Sequence, residues 1–165
     1  MLRDEAAISS EKMKKINLAE VVKSVVDDFN SVYDTKKSIA INFKTNGQNN
    51  YEILAIENRI EQIIANLLEN SISFSEKNQA IDVELAKKEE DKITLIVSDE
   101  GVGFNENDTN KIFNRFYSNR PEKFGEHSGL GLNIVKNLVE IHGGEITASN
   151  NKAVSYTHLT LPTIL

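Results

Sequence analysis

The segment Glu57–Ser73 constrains the fold most. Ile60, Ile63, Ile64, Leu67, Leu68 and Ser71 recur at the spacing of a single helical stripe. A stripe this apolar has to be covered by a second layer. Its flanks say what that layer is. Upstream, Ser38–Lys44 alternates through Ile39, Ile41 and Phe43, and Tyr51–Ile56 is a second short strand after the turn Asn46–Asn50. Downstream, Ala80–Lys87 and Lys92–Ser98 read as a hairpin. A further helix covers Leu18–Phe29 behind an Asn17 N-cap. Another covers Leu130–His142, is stopped by Gly143-Gly144, and precedes a strand over Glu145–Ser149. Strands in adjacent pairs predict an α/β two-layer sandwich, with a mixed, mostly antiparallel sheet and helices on one face. Regular β-α alternation and G-x-G-x-x-G after the first strand are missing, and so is G-x-x-x-x-G-K-[ST]; a Rossmann or P-loop site is therefore excluded.

Composition narrows the chemistry. A chain of 165 residues that is 39% hydrophobic can build one domain with a real core. Its net charge of −6 argues against nucleic acid as a partner. It has no cysteine, which rules out disulfides, thiol catalysis and zinc-thiolate sites. No apolar run has the length of a membrane span and no signal peptide is visible, so the expectation is a cytoplasmic, reducing setting.

Three motifs carry chemistry. Asn66 and Asn70 lie four residues apart on one flank of the apolar helix, together with Arg59 and Ser73. Asparagine is a poor interior helix residue, so the pair needs a reason beyond surface solvation. A neutral amide oxygen suits a Mg²⁺ already neutralised by phosphates. Asp99 ends an apolar strand and leads into Glu100-Gly101-Val102-Gly103. A carboxylate there can accept a nucleobase N–H above a floor kept open by Gly101 and Gly103, although Asp also forms ordinary turns. Ser128-Gly129-Leu130-Gly131-Leu132 opens a helix, where free amides bind phosphate. Between them lies a long polar connection, Phe104–Ser128, of the kind used as a lid, with a short helical piece at Thr109–Phe116. In it Ile112-Phe113-Asn114-Arg115-Phe116-Tyr117 reads partly as a satellite core patch, and Arg115, Arg120 and Lys123 are placed to reach phosphates. His142 reads as a helix C-terminal cap that complements the dipole, and no histidine is assigned a catalytic role.

In order and spacing these motifs resemble the catalytic ATP-binding domain of bacterial two-component sensor histidine kinases. That family shares its Bergerat-type ATP fold with type II topoisomerases and mismatch-repair ATPases. Asn66–Asn70 is similar to the N box, Asp99–Gly103 to the first glycine box, Ile112–Tyr117 to the F box and Ser128–Leu132 to the second glycine box. The loop Ile112–Phe124 looks most like a subset common in alphaproteobacterial kinases. The resemblance implies that Asn70 is the Mg²⁺ ligand helped by Asn66, that Asp99 is the adenine-binding acid, and that Phe74 packs near adenine. It also implies that Gly129, Leu130 and Gly131 form the phosphate loop. The chain departs from the family at Ser73, where many members carry Lys or Arg, at His127 in place of a glycine, and at Asn150–Ala153, where no last glycine box is recognisable.

The function implied is binding of Mg-ATP and donation of its γ-phosphate to a histidine on a dimerisation and phospho-acceptor helix, with onward transfer to a response regulator. Glu69 is the acid assigned to help that histidine. Residues 1–15 resemble the remnant of the dimerisation helix, and residues 16–153 the catalytic domain. Within residues 154–165, the string Ser155–Pro162 looks like translated cloning or adapter sequence, and no function is placed there. The expectation is a monomer that does not phosphorylate itself, cut from a parent anchored in the inner membrane. The alternatives are a degenerate interaction module, or a serine kinase of the anti-sigma-factor type or an ATPase on the same fold.

Overall fold

The computed structural model describes residues 12–47, 50–89, 91–101, 112–113, 131–150 and 155–162. In chain order the elements are β1 (Lys14–Asn17), α1 (Leu18–Lys37), β2 (Ala40–Gly47), β3 (Glu52–Ala55), α2 (Glu57–Phe74), β4 (Ala80–Glu89), β5 (Lys92–Asp99), α3 (Gly131–Ile141), β6 (Glu145–Asn150) and β7 (Ser155–Pro162). The fold is the expected two-layer α/β sandwich. Its main sheet runs β2-β4-β5-β7-β6, with only β2 and β4 parallel. Parallel neighbours need a long crossover, and α2 supplies it between them.

Alternation decides the faces. Ile39, Ile41, Ile81, Val83, Leu85, Ile93, Leu95, Val97, Leu159 and Leu161 are buried on one side, in a single core with the stripes of the helices. The intervening Asn42, Lys44 and Asp82 are exposed. From α1, Asn30 donates to the Ile41 carbonyl and accepts from the Ile41 N–H, both at 2.9 Å. One amide thus seals a peptide group on the outer edge of β2 and ties α1 to the sheet.

Several local expectations hold with shifted ends. Asn17 caps α1 through a bond from Ala19 N–H at 3.0 Å, but the helix continues eight residues beyond Phe29. The α3 terminus closes with Gly144 N–H on Val139 O at 2.9 Å, Gly143 N–H on Glu140 O at 3.0 Å, and Gly143 at φ 74°. Glycine is required there.

Two expectations change. First, Lys14 and Lys15, read as the end of a helical remnant, are strand: β1 pairs antiparallel with β3, matching Ile16 to Ile53. Second, that pairing takes β3 out of the main sheet into a two-stranded ribbon, so β2 and β3 are not sheet neighbours. Ser155–Pro162 forms β7, antiparallel to both β5 and β6, with Leu159 and Leu161 in the core.

Candidate functional site

The C-terminal turn of α2 and the end of β5 meet. Asp99 is 6% exposed, and its Oδ1 accepts Gly101 N–H at 2.9 Å. The Ser71 hydroxyl on α2 also favours its charged form. Burial pushes the Asp99 carboxyl above its ordinary value, and the Gly101 and Ser71 donors pull partly back. A Cβ added to Gly101 would lie 2.5 Å from the Phe74 carbonyl oxygen and 2.9 Å from Asp99 Oδ1. The chain can pass α2 here only as glycine.

Asn70 is buried on α2, one residue before Ser71. Ser73, on the Asn70 flank, donates to the Asn70 carbonyl at 2.8 Å and is therefore turned back onto its own helix. Asn66 is half-buried one turn earlier, Phe74 is buried, and Glu69 is exposed. Ser75 stops α2 by donating to the Ser71 carbonyl at 2.8 Å.

The first turn of α3 reaches the same region, and His142 explains how. This buried ring follows the last residue of α3, and its Nε2 accepts Ile56 N–H at 3.1 Å, at the start of α2. A peptide N–H can only donate, so Nε2 carries no proton. Nδ1 then holds the proton and donates to Leu138 O at 2.7 Å. The ring does cap the helix, but as an uncharged tether rather than as a cation complementing the dipole. Because the C-terminus of α3 is fastened to the N-terminus of α2, the two packed helices run in roughly opposite directions. An α3 of 11 residues is about 16 Å long, which brings Gly131 level with the Asn66–Asn70 region of α2. A His142→Leu variant leaves the buried Ile56 N–H without its acceptor. It is expected to lose about 1–3 kcal/mol of stability, read as a lower urea midpoint at unchanged slope.

Of the residues singled out from sequence, Asn66, Glu69, Asn70, Phe74, Asp99, Gly101 and Gly131 are described; Phe74, Asp99 and Gly101 meet at this corner, Asn66, Glu69 and Asn70 lie along α2, and Gly131 opens α3. Gly103, Arg115, Ser128, Gly129 and Leu130 lie outside the described residues. Ile112 and Phe113 are buried with Ala148 against Leu132 and Ile146, as a satellite core patch should be. Asn133 of α3 donates to the Phe113 carbonyl at 3.1 Å. Sequence reasoning missed Ser71 as a polar member of the site. The signal was present, because a serine in an otherwise apolar stripe needs a partner when buried.

Chemically, the corner offers a buried carboxylate acceptor at the C-terminal turn of the helix that carries Asn66 and Asn70. Among the described residues no cluster of His, Cys, Asp or Glu could hold a metal, and no helix is long and apolar enough to cross a membrane.

Residues 55–164 match the family described as histidine kinase-, DNA gyrase B-, and HSP90-like ATPase. The chain is 36% identical over 155 residues to the sensor protein ChvG of Agrobacterium fabrum, covering 90% of this chain and 26% of ChvG. It therefore spans about a quarter of the length of that relative. Among solved structures, the catalytic domain of histidine kinase ThkA superposes with a TM-score of 0.80 at 25% identity, over 93% of this chain and 97% of that one. ThkA has also been solved in complex with the response regulator protein TrrA; there the likeness has a TM-score of 0.78 at 23% identity, over 99% of this chain and 46% of that chain.

Proposed function

This chain belongs to the family of histidine kinase-, DNA gyrase B-, and HSP90-like ATPases, and from that premise we propose that it binds Mg-ATP and donates the γ-phosphate to a histidine of a sensor kinase, for transfer to a response regulator. The observation that carries the reading is the meeting of Asp99 with the Asn70–Phe74 turn across one corner. ThkA, which shares this fold, has been solved with the response regulator protein TrrA, and that supports a regulator as partner.

In this reading Asp99 accepts the exocyclic amino N–H of adenine, with Phe74 alongside and Gly101 and Gly103 leaving the floor open. Asn70, helped by Asn66, would hold Mg²⁺. The donor set fits: an ion carried mostly by phosphate oxygens needs few protein ligands, and a neutral amide adds no repulsion toward the nucleotide. When bound, the ion neutralises charge on the β- and γ-phosphates. Ser128, Gly129, Leu130 and Gly131 supply backbone donors at the mouth of α3. Arg115 adds a charge to the phosphates. In this reading Glu69, exposed and next to Asn70 in the chain, accepts the ring N–H of the incoming histidine. Phosphoryl transfer asks mainly for positioning and charge stabilisation, which these residues provide.

Calorimetric titration with ATP tests the reading. The chain is expected to bind ATP more tightly with Mg²⁺ than without. Asn70→Ala should remove that difference and leave the Mg²⁺-free affinity within about twofold, because its amide contributes through the ion. Radiolabelled ATP should leave the chain itself unlabelled. Binding that ignores both Mg²⁺ and the Asn70 substitution contradicts the site.

A further inference from the structure

The two hydrogen bonds of His142 do different work. Nδ1 donates to Leu138 O at 2.7 Å, inside the last turn of its own helix. Nε2 accepts Ile56 N–H at 3.1 Å, across to the residue that starts α2. Ile56 is the N-cap of α2 and makes no side-chain cap bond of its own. Both residues are buried. The joint from α3 to β6 is Gly143-Gly144, which brings no side chain to hold the helix. The buried side chains of α3 are Val135, Leu138 and Val139. Apolar contacts of that kind press a helix onto its neighbour but are not directional. A hydrogen bond fixes a height along the neighbour as well.

We propose that His142 is a positioning residue for the phosphate end of the nucleotide site. By fastening the C-terminus of α3 to Ile56, it sets the height at which the first turn of α3 stands along the Asn66–Asn70 flank of α2. The inference rests on the proposed nucleotide site and names what holds its two helices in step. A helix of 11 residues moves as a rod, so a slip at His142 is passed on to Gly131. Phosphate contacts demand placement well within an ångström. The base end is held independently: Asp99 and Gly101 leave β5 and lie against the Phe74 carbonyl at the opposite end of α2. Loss of the link to Ile56 therefore weakens the phosphate contacts and spares the base contacts. His142 touches no ligand in this scheme.

The experiment titrates wild type and three variants with Mg-ATP and, separately, with adenosine. His142→Gln can set its amide oxygen where Nε2 stands, which keeps the link to Ile56 and gives up the bond to Leu138. His142→Asn is shorter, so it can keep the local bond to Leu138 but does not reach Ile56. His142→Leu keeps neither. The ratio of ATP affinity to adenosine affinity should fall about tenfold in the Asn and Leu variants and stay within about threefold of wild type in the Gln variant. A structural role alone lowers the melting temperature and leaves that ratio unchanged, which overturns the inference and leaves the nucleotide site standing. Equal ratios in the Asn and Gln variants also overturn it, because the bond to Ile56 is then not what matters. If His142→Leu fails to fold, the comparison of Asn with Gln decides. Failure of wild type to bind ATP overturns the functional reading and this inference together.

Discussion

Asp99→Asn should abolish most nucleotide binding and, in the same molecule, raise the melting temperature. The two effects have one cause. Asp99 is a buried carboxylate whose charged form burial opposes. The amide can keep the oxygen that takes Gly101 N–H, but its second position becomes an NH₂ donor. That donor meets the donor N–H of adenine, so a charge-assisted hydrogen bond is lost. Such a bond contributes about 1.5–3 kcal/mol, and ATP affinity should fall by about one to two orders of magnitude.

Stability moves the other way. Burial raises the Asp99 carboxyl above its value in the unfolded chain, so between those two values the folded state binds more protons than the unfolded one. Stability contributed at this site therefore falls as pH rises through that window, and the penalty is fully present above the folded-state value. An uncharged amide avoids it. The melting-temperature gap between Asp99→Asn and wild type should be positive at pH 7 and shrink as pH drops below the ordinary Asp range. A variant that binds ATP normally removes Asp99 from the site. A variant that melts lower at every pH removes the argument from burial.

Gly101→Ala should damage fold and site together. The added methyl group meets the Phe74 carbonyl, a backbone atom that cannot rotate aside. Either the C-terminal turn of α2 shifts or the exit of β5 does, and Phe74, Ser71 and Asp99 lie on that seam. Overpacking of this kind costs about 1–3 kcal/mol, which for a chain of this length lowers the melting temperature by about 3–10 °C. ATP affinity should fall with it, because the Gly101 N–H that holds Asp99 moves too. The same substitution at Gly131, where a Cβ meets nothing within 4 Å, is the control for stability. Equal melting temperatures for Gly101→Ala and wild type would show that the seam yields to an added methyl group.

Much of the architecture could be read along the chain because its cause is local. Ile60, Ile63, Ile64, Leu67 and Leu68 announce α2 through spacing alone, and all are buried. Asn17 and Gly143 mark helix ends through the chemistry of one or two peptide groups. Asn70, Asp99, Gly101 and Gly131 stood out because each residue type is unusual in its local pattern.

Strand partnership was not readable in this way. The short run Glu52–Ala55 suits a sheet edge and a side ribbon equally well; its antiparallel pairing with Lys14–Asn17 decides between them. Those four residues, Lys-Lys-Ile-Asn, carry one buried apolar side chain and hardly announce a strand. Nothing near Ser71 says that its hydroxyl will act on Asp99, and nothing near His142 says that its ring will accept a peptide N–H 86 residues away. Periodicity, caps and glycines act within a turn or two of chain, so residue order was enough for the helices and the nucleotide-site candidates. Which distant groups share one buried hydrogen bond depends on how the layers stack, because such a bond becomes worth making only after packing has removed the water.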